Sequence, residues 1–345
     1  MAIDNRDPWP DLVDAVRHEG GTDDLLCLDD LHVSVHDGAA TAVRGVSLRV
    51  RPGEIVGLVG ESGSGKTLTC RATLGVLPPG CGVERGTVSF GGVDVTSLPR
   101  RDWERLHGSQ LGAVFQDPAS YLNPVLTVGG QLTEVLRVKL GLGRRAAHRR
   151  ALELFEAVGL RQPARVFHQI PAELSGGMLQ RVMIAIAISC DPKLLVADEP
   201  TTALDVTIQA EVLELLQRLR DERGLAVLFV SHDLAVITQL CDRIVVFYAG
   251  EIVESGPAEE IMRRPRHPYT QALLRVASVG DFRRRELEII AGQPPRAGED
   301  ITGCRFAARC PVAVPECEAG PVRPVPVGER HEARCVLAAR AMVAS

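Results

Sequence analysis

Gly60-Glu61-Ser62-Gly63-Ser64-Gly65-Lys66-Thr67 decides how the rest of this chain is read. The eight residues fit G-x-x-x-x-G-K-[ST]. They stand directly after a continuous apolar run, EIVGLVG, and directly before LTCRATLGVL. The first run has the composition of a parallel strand buried on both faces, and the second reads as a helix. Strand, glycine-rich loop, helix is the context in which this pattern holds phosphate. Glycines let the backbone curl until successive N–H groups face inward, and the helix N-terminus adds its positive dipole end. Lys66 is expected at the β- and γ-phosphates and the Thr67 hydroxyl on Mg²⁺. The nucleotide-contacting set is then Gly60, Glu61, Ser62, Gly63, Ser64, Gly65, Lys66, Thr67 and Leu68. Alone, such a loop does not separate kinases, GTPases and transport ATPases.

Two segments further along narrow the choice. Leu194-Leu-Val-Ala-Asp198-Glu199-Pro200 is an apolar strand ending in two acids. Asp198 at the strand end can hold Mg²⁺ opposite Thr67, and Glu199 can polarise an attacking water as a general base. The plainer reading is a carboxylate pair capping an exposed turn. Leu174-Ser175-Gly176-Gly177-Met178-Leu179-Gln180-Arg181 precedes a small-residue apolar helix, VMIAIAI. Ser175 has the place of an N-cap, and the glycines expose N–H groups at the helix start.

The surrounding pattern predicts the architecture. LLCLDDLHVSV and VSLRV read as half-buried antiparallel strands, separated from EIVGLVG by the Pro52-Gly53 turn. Strand-like runs recur at Leu194–Ala197, Ala226–Val230 and Ile244–Tyr248, with a helical stretch over Asp205–Arg223. Alternation of this kind implies a parallel sheet covered by helices on both faces. Between about 120 and 185 only helical signals occur, which reads as an insertion into the α/β core. The expected fold is thus α/β, a P-loop NTPase core with an antiparallel β subdomain, an inserted helical subdomain and a small separate Cys-rich tail. Residues 1–24 are polar and read as a flexible leader, 25–265 as the nucleotide-binding domain, and 266–345 as a C-terminal extension. No internal repeat is present, so one nucleotide-binding unit is expected.

Composition excludes several classes. The 345 residues are 45% hydrophobic with a formal net charge of -5, and no region carries the basic excess of a nucleic-acid binder. The short Arg runs at Arg144–Arg150 and Arg283–Arg285 read as solvated helix faces. The N-terminal residues lack the apolar stretch of a signal peptide, and no apolar run approaches the ~20 residues that span a bilayer. Membrane association is expected only through a partner. Of nine cysteines, Cys27, Cys70, Cys81, Cys190 and Cys241 are scattered and expected to pack as small hydrophobes. The other four, Cys304-x5-Cys310-x6-Cys317-x17-Cys335, crowd into the tail without the C-x2-C pairs of most structural zinc sites.

Phosphate loop, LSGGM and the Asp-Glu strand end, in that order, resemble the ABC ATPase superfamily. LSGGM (Leu174, Ser175, Gly176, Gly177, Met178) is similar to its signature, which in that family binds the γ-phosphate held by the opposite subunit. Gln116 in VFQDP resembles the family's Q-loop glutamine, a contact for Mg²⁺ and the attacking water. Ala203-Leu204-Asp205 resembles the D-loop, and His232 the switch histidine that contacts the γ-phosphate. The resemblance spans about Leu25 to Pro265 and implies two ATP molecules clamped between two subunits. Met178 departs from the family's Gln, losing a polar contact. Val35, beside His36, stands where an adenine-stacking aromatic is often found.

Finer segments point within the superfamily. VADEPTTALDVTIQAEVLELL, LSGGMLQRVMIA and RHPYTQALL resemble the D-type ATPase subunit of bacterial oligopeptide and dipeptide importers, and nickel and glutathione importers share these features. The resemblance implies an F-type ATPase subunit as heterodimer partner, two membrane permeases, an extracytoplasmic peptide-binding protein and a peripheral place on the cytoplasmic face of the inner membrane. It also implies that Cys304, Cys310, Cys317 and Cys335 ligate a [4Fe–4S] cluster, with zinc as the alternative. His331 is a possible substitute ligand, but it reads better as a residue behind the ligands or on the surface. The rival from another class, a soluble ABC ATPase acting on nucleic acid or ribosomes, predicts a very long inserted coiled coil or a second cassette. A redox protein with incidental nucleotide binding leaves the motif set unexplained.

Overall fold

The computed structural model describes residues 24–202, 204–278 and 290–343. Residues 1–23 of the 1–24 leader, the Arg283–Arg285 run and Ala203 lie outside the described residues. The apolar run before the phosphate loop is β3 (Ile55–Val59), with all five residues buried. It pairs in parallel with β8 (Ala226–Val230) on one side and β9 (Arg243–Tyr248) on the other. Beyond β8 follow β7 (Leu194–Asp198) and β6 (Leu111–Val114), also parallel. Their side chains divide between two cores with the strand's period of two. Val56 and Leu58 pack with Leu26, Leu28 and Val33, whereas Ile55 and Val59 share a core with Leu132, Phe155 and Ile184.

The first of those cores lies under an antiparallel sheet ordered β2 (Ala40–Val50), β1 (Leu26–Val35), β4 (Gly82–Phe90), β5 (Val93–Asp94). The second lies under helices. After α1 (Lys66–Thr73) and α2 (Arg100–Leu106), the chain from 118 to 187 holds helical elements only. These are α3 (Pro118–Tyr121), α4 (Val128–Leu140), α5 (Arg144–Ala157), α6 (Pro163–Val166) and α7 (Gly176–Ala187). Thr127 caps α4 by accepting from Gly130 N at 3.2 Å. Arg144, Arg145 and Arg149 of α5 face solvent, the plain reading of that run. α8 (Val206–Arg223) buries Val212, Leu215, Leu216 and Leu219 at helical spacing and stops at Gly224, whose φ of 64° suits glycine. α9 (Leu234–Leu240) follows β8. Cys70 and Cys241 are buried as expected, but Cys27, Cys81 and Cys190 are only partly so, and Cys27 donates to Asp29 Oδ2 at 3.2 Å.

The tail departs from the expectation of a separate element. β10 (Glu251–Pro257) turns back along β9, and a terminal hairpin of β11 (Val325–Gly328) and β12 (His331–Ala333) continues the same sheet, with Glu254 opposite Ala333. The eight strands run β11-β12-β10-β9-β3-β8-β7-β6. α10 (Ala258–Arg263), α11 (Pro268–Ser278) and α12 (Val336–Val343) complete the extension. The buried carboxylate of Glu254 is one of the ties that dock it, beside the β10–β12 pairing. Its oxygens accept from Arg266 N at 2.7 Å and His267 N at 2.9 Å, and its Oε1 lies 2.8 Å from His331 Nε2. Two segments are thereby tied to one buried acid on β10, an arrangement costly to leave half-made.

His267 caps α11, since its Nδ1 accepts from Tyr269 N at 3.0 Å. Burial pulls its pKa down to about 4, against the opposing charge of Glu254 and with that of Arg334. A buried neutral base makes the unfolded chain the better proton acceptor below the ordinary histidine pKa. Stability therefore falls as pH drops from about 6.5 to about 4, by on the order of 3 kcal/mol for this group. His267→Asn keeps a capping oxygen and removes the titration. Its thermal midpoint should decline less than wild type over that window, as measured by circular dichroism.

Candidate functional site

The loop following β3 requires glycine by geometry. Gly60 has φ 148°, and a Cβ there would lie 2.2 Å from the carbonyl oxygen of Phe247 on β9. So close an approach to a neighbouring strand leaves space for hydrogen alone. Lys66 opens α1 and is 5% exposed. Its Nζ donates to Gly60 O at 2.8 Å, Glu61 O at 3.0 Å and Ser64 Oγ at 3.4 Å. Burial pulls its pKa down, opposed by the charges of Glu199 and Asp198. An ammonium held only by uncharged oxygens, in a partly dehydrated loop, is well prepared for an anion.

Thr67 Oγ1 donates to Asp198 Oδ1 at 3.1 Å, joining the loop to the end of β7. Burial pushes the Asp198 carboxyl up, the Thr67 bond pulls the other way, and the neighbouring Glu199 charge adds to the rise. A hydroxyl and a carboxylate oxygen at hydrogen-bond distance are a donor set that suits Mg²⁺. Glu199 follows with φ 51°, a left-handed backbone unusual outside glycine and common at functional turns. Its Oε2 accepts from Thr202 Oγ1 at 2.9 Å and lies 3.3 Å from His232 Nδ1. Asp233, next in the chain, caps α9 through Ala235 N at 2.9 Å and so fixes the turn that carries His232.

These groups face an open cleft of about 550 Å³ lined by the run Ser62–Leu68 with Gln116, Glu199, Thr202 and His232. Ser62–Leu68 of the predicted loop, Gln116, Glu199 and His232 are thus brought together, with Asp198 held beside them through Thr67, whereas Gly60 and Glu61 are not part of the lining. Such a cleft can hold a polyphosphate along the loop and present a carboxylate to water at its far end. Thr202 was missed. Its signal was a hydroxyl three residues after Glu199, in a segment already singled out.

The signature residues sit elsewhere. Ser175 caps α7, its Oγ accepting from Met178 N at 3.4 Å, and Ser175 and Gly176 are exposed. Leu174 is buried, and Met178 is partly buried against the helical core. Gly177 allows α7 to meet α8, because a Cβ there would lie 2.6 Å from Ile208 Cγ2. None of the five lines the cleft among the described residues. In the D-loop segment, Leu204 N donates to Thr201 O at 3.1 Å, and Asp205 caps α8 by accepting from Ile208 N at 3.0 Å. Val35 ends β1 opposite Ala40, away from the cleft lining.

In the tail, Cys304 N donates to Cys317 O at 2.7 Å. Burial pushes the Cys304 thiol up to about 11, and the charges of Cys317, Cys335 and Cys310 push the same way. The four cysteines therefore share one neighbourhood. Even so, among the described residues no group of three or more His, Cys, Asp or Glu side chains is arranged to hold a metal ion. The expected ligand set is therefore not formed among the described residues. His331, considered as a substitute ligand, is instead committed to Glu254.

The sequence profile of the ABC transporter family matches residues 43–202, and that of the oligopeptide/dipeptide transporter C-terminal region matches 253–317. A Brucella ovis protein, provisionally named a peptide import ATP-binding protein, is 46% identical over 307 residues, covering 86% of this chain and 91% of the relative. The oligopeptide transport ATP-binding protein AppD of Bacillus subtilis is 44% identical over 277 residues, covering 80% and 84%. The dimeric structure of MJ0796, a bacterial ABC transporter cassette, superposes with a TM-score of 0.61 at 28% identity, over 68% of this chain and 98% of that one. With its cleft, its phosphate loop and these relatives, the chain belongs to the ATP-hydrolysing subunits of ABC transporters, in the group that carries the oligopeptide/dipeptide transporter C-terminal region.

Proposed function

We propose that this subunit couples ATP binding and hydrolysis to the import of di- or oligopeptides through membrane permeases. The observation that carries the reading is the division of the site. The phosphate loop faces the cleft with Gln116, Glu199 and His232, whereas the exposed start of the LSGGM helix lies outside it. A cleft that meets no LSGGM of its own chain calls for one from a second subunit. Peptide cargo is supported by the names of the relatives and by the C-terminal region they share. A nickel or glutathione cargo in the same family is the alternative.

In this reading Lys66 and the loop N–H groups hold the β- and γ-phosphates of ATP. Thr67, Asp198 and Gln116 would hold Mg²⁺, which supplies charge neutralisation on the phosphates. Glu199, oriented by Thr202, takes the proton of the attacking water, and His232 contacts the γ-phosphate beside it. Leu174, Ser175, Gly176, Gly177 and Met178 serve the ATP held by the opposite subunit, and Ala203, Leu204 and Asp205 carry the contact across the dimer. The partner is an F-type ATPase, joined by two permeases and an extracytoplasmic peptide-binding protein. The complex places this chain peripherally on the cytoplasmic face of the inner membrane. Among the described residues no helix is long and apolar enough to cross a membrane.

Affinity purification of the tagged chain from membranes tests this directly. Recovery of a permease pair and a second, non-identical ATPase supports it; recovery of ribosomes or nucleic acid would favour the soluble class. That class expects a long inserted coiled coil, whereas the helical insertion's largest helices run 13 and 14 residues.

For the tail, Cys304, Cys310, Cys317 and Cys335 are our candidate ligands for a [4Fe–4S] cluster, with zinc as the alternative. Their resemblance to importer tails supports this, although the four side chains are not arranged as a ligand set among the described residues. No step of ATP hydrolysis is assigned to the group. Anaerobic purification with iron and sulfide assay should give about four of each per chain; a colourless, zinc-loaded or metal-free protein sinks the cluster.

A further inference from the structure

Glu61 lies inside the phosphate loop, yet its partners come from the far end of the chain. Arg309, 5% exposed, forms a two-pronged pair with it, Nη1 to Oε2 at 2.8 Å and Nη2 to Oε1 at 3.0 Å. The remaining N–H groups of Arg309 are also matched. Nη1 donates to Tyr248 OH at 3.2 Å, Nη2 to Ile290 O at 2.9 Å and Nε to Ala291 O at 2.9 Å. All five donors of the guanidinium have partners, so its position is over-determined. On the other side, the backbone N of Glu61 donates to the hydroxyl of Tyr269 on α11 at 2.9 Å. Tyr269, Tyr248 and Phe306 form an aromatic cluster with ring centroids 4.6 to 5.4 Å apart, which locks both supporting groups in place.

The fourth polar atom of Glu61, its carbonyl oxygen, is one of the oxygens on which Lys66 Nζ rests. The contacts therefore run in series from Arg309 and Tyr269 through Glu61 to the lysine of the loop. We propose that Arg309 and Tyr269 are positioning residues for the phosphate loop, so that the C-terminal extension sets the affinity of the nucleotide site by fixing Glu61. This rests on the reading that Gly60–Thr67 binds ATP. The bland counterpart is a latch that merely fastens the extension to the body of the protein. It differs in consequence, because such a latch changes stability and leaves ATP affinity alone.

A double-mutant cycle on the full chain separates the two. ATP dissociation constants are measured by fluorescence with a labelled ATP analogue, and turnover at saturating ATP is measured in the assembled transporter. Arg309→Ala should weaken ATP binding about tenfold, as expected for loss of a charged hydrogen-bonded pair. Arg309→Lys, which keeps the charge and loses the fork, should fall between it and wild type. Turnover at saturating ATP should stay within about twofold of wild type in both, because neither touches Glu199 or the cleft. The Glu61→Ala/Arg309→Ala double variant should bind ATP no worse than the weaker single. If Arg309→Ala is unstable, Tyr269→Phe gives the second reading, since it removes one hydroxyl and keeps the aromatic packing; it should weaken binding about threefold. Unchanged ATP affinity in folded variants, or additive losses in the cycle, overturns the proposal. Failure of the wild-type chain to bind ATP would instead overturn the function on which it rests.

Discussion

Glu199→Gln should lower ATP turnover in the assembled transporter by about a thousandfold while ATP stays bound. The substitution is nearly isosteric. The amide oxygen can still accept the Thr202 hydroxyl, and the φ of 51° at this position is unaffected by the side-chain change. What disappears is a carboxylate able to take a proton from water. Binding should therefore survive and hydrolysis should not, which on the proposed two-subunit reading traps a closed dimer. Phosphate release and retention of ATP through gel filtration read the two halves separately. Normal hydrolysis by this variant would remove Glu199 from the role of base.

Lys66→Ala should act at the opposite end of the cycle, weakening ATP binding about a hundredfold. The estimate follows from loss of one or two charge-assisted hydrogen bonds to phosphate in a partly dehydrated site. The variant carries a second cost. Gly60 O, Glu61 O and Ser64 Oγ lose the donor that now gathers them, so the loop loses part of its own scaffold. Lys66→Arg should not restore binding, because a planar guanidinium does not fit the place of a compact ammonium. Equilibrium binding with the analogue used for Arg309 checks both, and near-normal affinity in Lys66→Ala would refute the assignment.

Both variants act on residues that could be read from one dimension, and the reason is physical. β3, β7, β8 and β9 are buried on both faces, so they appear as unbroken apolar runs. The turns that carry Lys66, Glu199 and His232 must lie at their ends. β6 is four residues long and β10 mixes Glu and Ser into its pattern, so neither stands out. The terminal hairpin was illegible for a stronger reason. Its docking depends on a buried acid, Glu254, shared with His267 and His331, and polar burial leaves no hydropathy signature. His331, which reads in sequence as a residue behind the ligands or on the surface, is a buried structural partner. The Glu61–Arg309 pair, separated by 248 positions, becomes visible only when the fold closes the distance.

That pair also bears on how such chains can be recombined. The matched ABC transporter segment ends at residue 202 and the C-terminal region begins at 253, which invites the exchange of extensions between relatives as self-contained cassettes. The boundary is less clean than it looks. A graft that brings Tyr269 and Arg309 onto a body lacking an acid at position 61 would bury a guanidinium with two of its donors unmatched. Successful chimeras of this subunit should be those in which position 61 travels with the extension.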